Sequence, residues 1–343
     1  MLAGRLDTRK LEFGVVEVPI PEPGPGQVRI KVEAAGVCLS DVHLIEGMLK
    51  PATPEGVIIT PEGGTITLGH EVAGAIDALG PGVSGWQEGQ RVLLDGAERH
   101  NGRVLTRGVN FDGGWAQYAL AAATALFAIP DDLTIEQAAI IPDAVETSWA
   151  AITGTADARP AQAAGVWGVG GLGAHGVQLL RLVGAAPIVA VDPLPAARER
   201  ALEFGADVAL DPADPEVRQR VLEETGGAGL KVAFDFAGAA PVREQAIGCL
   251  AEHGKLVLVG LTDKPLTISD GTEFSVRQKK ILGHFGGYPG ALEELINLAR
   301  RHRLDLSRSI SGILPLADAA KAVEQLKSKQ GNPIRLILNP WAS

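Results

Sequence analysis

Gly168-Val169-Gly170-Gly171-Leu172-Gly173 is a G-x-G-x-x-G turn between an apolar run, AGVWGV (164–169), and a stretch with helical spacing, AHGVQLLRLVGA (174–185). In this pattern the first glycine permits the tight turn and the second lets a pyrophosphate approach the backbone. The third lets helix and strand pack closely. Phosphates belong at the helix N-terminus, where free N–H groups and the dipole favour negative charge. Asp192 ends the next apolar run, PIVAVD (187–192), 24 residues after Gly168, where a carboxylate accepts from both ribose hydroxyls. The same carboxylate repels a 2′-phosphate, and Pro193-Leu194 supplies no compensating cation, although Arg198 and Arg200 follow. The expected cofactor is therefore NAD rather than NADP. Cys38, in GVCLSDVH (36–43), and His70, in LGHEVAG (68–74), offer a thiol and an imidazole. Either residue alone reads equally as an apolar filler or a hydrogen-bonded structural side chain.

The rest of the chain supplies elements to position these groups. Residues 1–147 read as short β segments between Gly/Pro turns: VRIKVEAAGV (28–37), EVAGAIDAL (71–79) and QRVLLD (90–95), with PEPGPG (21–26) as a break. Such punctuation predicts a barrel-like or sandwich β domain. From about residue 164 the rhythm becomes strand, helix, strand. ARERALEFGA (197–206), VRQRVLEETGG (217–227) and VREQAIGCLAEHG (242–254) read as helices, separated by VAL (208–210), KVAFDFAG (231–238) and KLVLVGL (255–261). That alternation implies parallel strands with crossover helices, because parallel neighbours need long returns. ALEELINLARRHRL (291–304) and LADAAKAVEQLKSK (316–329) read as amphipathic helices, and RLILN (335–339) as a last strand.

Composition narrows the class. A chain of 343 residues exceeds what one hydrophobic core usually holds, so two domains are expected. An apolar share of 46% excludes a disordered chain, and the net charge of −10 argues against nucleic-acid and anionic-membrane partners. Two cysteines, Cys38 and Cys249, make no disulfide framework and fit a reduced compartment. The N-terminus MLAGRLDTRK has no apolar leader core, and no apolar run reaches ~18 residues, so the expected location is the cytoplasm.

The motifs around Cys38 and His70 resemble those of the zinc-dependent medium-chain alcohol dehydrogenase family, and the resemblance runs along nearly the whole chain. It implies an α/β fold with a Rossmann dinucleotide-binding domain (148–286) and a β-rich GroES-like catalytic domain (1–147 and 287–343). The site is expected in the cleft between them. One catalytic zinc per chain is implied, on Cys38, His70 and Asp143, the last in AAIIPDAVETSWA, 25 residues before Gly168. Glu71 resembles an occasional alternative ligand. Thiolate, imidazole and carboxylate suit a catalytic zinc with an open fourth position.

The resemblance also assigns a proton path. Ser40 matches the residue that takes the alcohol proton, and His43 the one that passes it to solvent through the cofactor ribose. An imidazole suits that relay, since its pKa lies near the working pH. Asp41 matches the carboxylate that holds the zinc-bound imidazole. Thr147 and Leu172 are implied contacts of the nicotinamide, and Arg335, in GNPIRLIL, of the pyrophosphate. Plainer readings stand beside these: a helix cap for Asp143, turn chemistry for Ser40 and Asp41, and a solvated side chain for His43. Leu172 also reads as core and Arg335 as a strand-end cation. The implied activity is reversible hydride transfer between NAD and a primary or secondary alcohol, with aldehyde or ketone as product. The implied assembly is a homodimer or homotetramer paired through the Rossmann sheets, acting on a small-molecule substrate.

Departures from the family pattern are specific. No cysteine lies in LLDGAERHNGRVLTRGVNFDGGWAQYAL (93–120), where many members bind a second, structural zinc, so a thiolate site is excluded there. KPATPEGVIITPEGGTIT (50–67) stretches the interval before His70 and reads as a substrate-side loop. Leu39 stands where some members place a phosphate-binding cation. Gly96 stands where some place a large aromatic, which implies a roomier pocket; Trp115 reads either as that pocket's wall or as core. Cys249 reads as core, and His100, His175, His253 and His302 as structural or surface. His284, in ILGHFGG (281–287), resembles the segment lining the nicotinamide. Two alternatives remain: a zinc-free quinone or enoyl reductase of the same superfamily, and a non-enzymatic nucleotide-binding protein.

Overall fold

The computed structural model describes residues 1–48, 64–100 and 102–342. They separate into two compact units, 1–143 with 292–343, and 144–291. Residues 50–63 of the expected substrate-side loop lie outside the described residues.

Alternating burial builds the first unit. It opens with β1 (Leu2–Asp7) and β2 (Glu12–Glu17), then β3 (Gln27–Val37) and the short helix α1 (Leu39–Ile45). β4 (Thr65–Thr67), β5 (Val72–Leu79) and β6 (Arg91–Leu94) follow. The hairpin β7 (Ala97–His100) and β8 (Arg103–Thr106) precedes β9 (Tyr118–Ala122), β10 (Leu126–Ala128) and helix α2 (Ile135–Ala139). Val28, Ile30 and Val32 of β3 are fully buried every second residue, the period of a strand with one face in a core. Thr134 caps α2 by accepting from the Gln137 N–H, with Gln137 returning the bond, which fixes where that helix starts.

The second unit is the alternating one. Helix α3 (Glu146–Ala150) leads to β11 (Ala164–Trp167), α4 (Gly171–Val183), β12 (Ile188–Val191), α5 (Pro195–Glu203) and β13 (Val208–Leu210). α6 (Val217–Glu224), β14 (Leu230–Asp235), α7 (Ala240–Gly248), β15 (Leu250–Leu258), α8 (Gly271–Val276) and β16 (Lys280–Gly283) complete it. All six strands are parallel, in the order β13-β12-β11-β14-β15-β16. The order reverses between β11 and β14, and in open α/β sheets the crevice beyond that switch point takes the ligand. β11 and β12 are buried at every position, as strands covered on both faces must be.

The chain then returns to the first unit with α9 (Ala291–Arg300), β17 (Ile310–Pro315), α10 (Ala319–Lys327) and β18 (Arg335–Asn339). β3 is the hub there. One edge pairs antiparallel with β5, from Val28–Leu79 to Ala35–Val72. The other edge pairs first with β9 and then, at Ala35–Val37, with β18. β17 lies parallel to β18, so α10 is the crossover between them.

One expectation needs correction, and two open points are settled. The helix read over 242–254 ends at Gly248, and Leu250–Leu258 is strand with an irregular register against β14. β16 and β17, which lack a clean alternating pattern and had no reading from the sequence, are strands. Trp115 is core: it is fully buried, and its indole N–H donates to the Gly36 carbonyl at 2.9 Å. The fold itself is as the resemblance implied, a GroES-like β domain and a Rossmann sheet. No helix among the described residues is long and apolar enough to cross a membrane.

Cys249 joins the second unit's core at 1% exposure, and burial pushes its thiol up to about 12. At pH 8 its thiolate is then about 10³-fold rarer than for an ordinary cysteine, and the thiolate is the species that reacts. Native protein treated with iodoacetamide at pH 8 is expected to leave Cys249 unmodified by peptide mass spectrometry, whereas urea-unfolded protein is modified there. Native labelling of Cys249 at the unfolded rate contradicts this packing.

Candidate metal centre and dinucleotide turn

Cys38 leaves β3 and occupies the N-cap of α1, so the seven-residue helix carries Ser40, Asp41 and His43 just beyond it. Asp41 Oδ2 accepts from the Cys38 N–H at 2.9 Å, and Asp41 Oδ1 from the Gly69 N–H at 3.3 Å. This fully buried carboxylate therefore ties together the two backbone segments that bear Cys38 and His70. His70 precedes β5. Its Nε2 lies 3.5 Å from Asp143 Oδ2, while its Nδ1 faces Asp41 Oδ1 at 3.7 Å. Asp143 sits on a π-helical turn, Ile141–Val145, after α2. Such one-turn bulges displace a side chain from the regular helical face and recur at functional sites.

Donor atoms of Cys38, His70, Glu71 and Asp143 all lie within 4.8 Å of one another, the only such group among the described residues. Cys38 Sγ is 3.3 Å from Asp143 Oδ2. Cys38, His70 and Glu71 are buried, and Asp143 keeps 19% of its side chain exposed, so the cluster opens on that side. His70 Nδ1 and both Glu71 carboxylate oxygens are buried without a hydrogen-bond partner. A sulfur, an imidazole nitrogen and carboxylate oxygens converging in this way fit a zinc ion, whose ligand set they match.

Arg335 of β18 points into the same cluster. Its Nη2 is 2.8 Å from Glu71 Oε1, in an ion pair without hydrogen-bond geometry, and donates to Asp143 Oδ2 at 3.0 Å. Cys38 Sγ lies 3.7 Å from the same nitrogen. The residue expected at a pyrophosphate thus has its guanidinium on the metal donors. These neighbours set the local electrostatics. Burial favours neutral forms, yet His70 and Arg335 overcome it and hold the Asp143 carboxyl far below the usual range. Burial also disfavours a charged imidazole, but Asp41 and Asp143 keep the His70 pKa well above its ordinary value. At Glu71 burial wins over Arg335 and pushes the carboxyl well up.

Ser40 and His43 stand three apart on α1, hence on one helix face, and both are partly exposed. Cys38 Sγ is 3.6 Å from Ser40 Oγ. Gly96 lies against the carbonyls of His70 and Pro142; a Cβ there meets them at 3.5 and 3.6 Å, ordinary contact distances. The position is thus small without being forced to be glycine.

The second unit holds the glycine turn. Gly168 has φ +87°, which disfavours any side chain, and a Cβ on Gly173 meets the Gly168 carbonyl oxygen at 1.8 Å. A Cβ on Gly170 meets nothing within 4 Å, so the backbone is open there. No side chain caps α4, which leaves its first N–H groups for a phosphate. Asp192 is mostly buried; its two oxygens accept from the Val169 and Leu194 N–H groups at 2.8 and 2.9 Å. Arg198 is turned to Asp211 at 3.1 Å and to backbone carbonyls, and Arg200 donates to the Val169 carbonyl. Ser148 Oγ donates to the Leu172 carbonyl at 2.9 Å, which fixes α3 against the turn. His284 bridges the Thr147 carbonyl at 3.0 Å and Thr155 Oγ1 at 2.8 Å, and burial lowers its pKa. Sequence reasoning missed Ser148 and the centring of Arg335 on the cluster, since neither contact has a local signature. The open glycine backbone, the uncapped helix and Asp192 fit a dinucleotide.

A Rossmann sheet with this turn, together with a buried thiol–imidazole–carboxylate cluster, defines a metal- and dinucleotide-dependent oxidoreductase. Comparison with known proteins narrows the class. Residues 24–131 match the alcohol dehydrogenase GroES-like domain, and residues 171–301 match the zinc-binding dehydrogenase domain. An alcohol dehydrogenase of Geobacillus stearothermophilus is 31% identical, covering 97% of this chain and 98% of that protein. Among solved structures, 2R,3R-butanediol dehydrogenase from Bacillus subtilis shares the fold with a TM-score of 0.88 at 23% identity, covering 99% of both chains. An NAD-dependent alcohol dehydrogenase superposes with a TM-score of 0.86 at 25% identity, again over 99% of both. The chain belongs to the zinc-dependent medium-chain alcohol dehydrogenase family.

Proposed function

We propose that this chain oxidises primary or secondary alcohols, and reduces the corresponding aldehydes or ketones, with one zinc and NAD. The observation that carries the reading is the convergence of Cys38, His70 and Asp143 within one 4.8 Å cluster. These three residues hold the metal, with Glu71 as an alternative carboxylate. Zinc bound there supplies Lewis acidity to the substrate oxygen, and NAD supplies the hydride-accepting nicotinamide. Asp41 orients the His70 imidazole. Ser40 would accept the hydroxyl proton of the alcohol, and His43 would release it to water. Gly168, Gly170, Gly171 and Gly173 receive the pyrophosphate, Asp192 the adenosine ribose, and Thr147 and Leu172 the nicotinamide. Arg335 is the residue assigned to the pyrophosphate, although its guanidinium here lies on Glu71 and Asp143. The catalytic work falls to residues 1–147 and 287–343, and dinucleotide binding to 148–286.

The working assembly is a homodimer or homotetramer in the cytoplasm. Strand β16 is an open sheet edge, with Val276 and Phe285 exposed at 73% and 75% close to it in sequence. Such an edge is a template for pairing with a second copy.

The direct test is kcat/KM over primary, secondary, cyclic and polyol alcohols with NAD and with NADP. NAD is expected to be preferred. Asp192→Ala narrows the preference by weakening NAD, because it removes the ribose acceptor without creating a phosphate site. A wild-type protein that favours NADP, or that reduces quinones and no carbonyl, overturns the reading.

A further inference from the structure

Asp41 faces the imidazole of the proposed metal ligand His70, and the backbone just before His70 is held by a segment with no assigned role. Residues 107–115 run along residues 67–70 backbone to backbone. The Gly113 N–H donates to the Thr67 carbonyl at 2.8 Å, the Gly114 N–H to Gly69 at 2.9 Å and the Trp115 N–H to Leu68 at 2.9 Å. No side chain fits between the two segments. A Cβ on Gly108 meets the Gly69 nitrogen at 2.7 Å, and one on Gly113 meets the Gly69 oxygen at 2.2 Å. Gly69 itself has φ +94°, so its peptide is held in a conformation that other residues rarely adopt.

Arg107, next to Gly108, is where this strap is anchored. Its side chain is fully buried, a rare state for arginine unless it is paired. Nη2 donates to Glu98 Oε1 of β7, and Nη1 donates to the Leu120 carbonyl of β9 at 2.8 Å. The guanidinium carbon lies 5.1 Å from the Phe111 ring centroid, and the Arg107 N–H donates to the Gly96 carbonyl at 2.9 Å. The other Glu98 oxygen accepts from the Ala122 N–H at 3.3 Å, also on β9. One buried ion pair thus fastens the hairpin and the strap to the central sheet.

We infer that Glu98 and Arg107 are positioning residues for the metal centre, setting the Gly69 peptide and through it the His70 imidazole. The pair does mechanically what a structural ion does in a loop: it crosslinks strap to sheet, although Arg107 Nε stays buried without a hydrogen-bond partner. The inference rests on the zinc reading above. Partners that orient a ligand typically change metal affinity by about 10–100-fold when lost.

The test uses the full chain loaded with Co²⁺ in place of zinc, whose visible bands report thiolate ligation and coordination geometry. Arg107→Lys keeps the charge beside Glu98 but loses the planar fork, and Glu98→Gln removes the charge from the other side. Both are expected to lower Co²⁺ affinity about tenfold and to shift the d–d bands. Far-UV circular dichroism and NADH binding to the second unit should stay unchanged. Wild-type bands and affinity in both variants overturn the inference and leave the zinc reading standing. A wild-type protein without a thiolate-to-cobalt band contradicts the zinc reading itself.

Discussion

Cys38→Ser removes turnover. Serine keeps the shape of the side chain but offers a neutral hydroxyl where zinc takes a thiolate, so the site is left with one imidazole and carboxylates. Lewis-acid stabilisation of developing charge is worth several kcal/mol, and each 1.36 kcal/mol is a factor of ten in rate, so kcat/KM is expected to fall on the order of 10³-fold or more. NADH binding, followed by fluorescence, should not change, because Gly168, Gly170, Gly173 and Asp192 all belong to the other unit. A variant that keeps metal-dependent turnover near the wild-type rate contradicts the role of Cys38. One that loses NADH binding as well indicates unfolding, to be checked by circular dichroism.

Ser40→Ala and His43→Gln separate two steps of one proton path. Ser40 lies 3.6 Å from the Cys38 sulfur, so its hydroxyl is beside the metal donors. Its loss removes the first proton acceptor and is expected to cost on the order of 10²-fold in kcat, the lower end for a positioned acid–base group. His43 stands one helical turn on, partly exposed, where water can replace it. Its loss should cost less, about tenfold, and most at low pH, where solvent base is scarce. Imidazole buffers should restore part of the loss. If His43→Gln matches the wild type across pH 6–9 with no buffer effect, His43 is a surface residue and the path runs elsewhere.

The parts of the fold that were legible in the sequence are those with a local signature. Val28, Ile30 and Val32 alternate, and AGVWGV and PIVAVD are uninterrupted apolar runs, so their strands could be read directly. Residues 250–254, the first half of Leu250–Leu258, could not, because Cys249-Leu250-Ala251 continues the helical spacing of the preceding helix; pairing with β14 decides the matter. β17 holds Gly312 and ends at Pro315, so only its parallel pairing with β18 makes it a strand. The same division holds for the candidate site. Cys38, Ser40, Asp41 and His43 are neighbours in sequence, as are His70 and Glu71, and their motifs could be recognised. Arg335 on Glu71 and Asp143, and Arg107 on Glu98 and Leu120, are contacts between distant or unpatterned positions. Their charge predicts a solvated surface residue; only the assembled β sheet shows them buried and paired.

The most direct measurement is the zinc content of active, exhaustively dialysed protein by elemental analysis, alongside Cys38→Ser prepared in the same way. One zinc per chain in the wild type and none retained in the variant is the expected result, since Cys38, His70, Glu71 and Asp143 form the only such cluster among the described residues. Two zincs per chain, or full activity with none, contradicts the account.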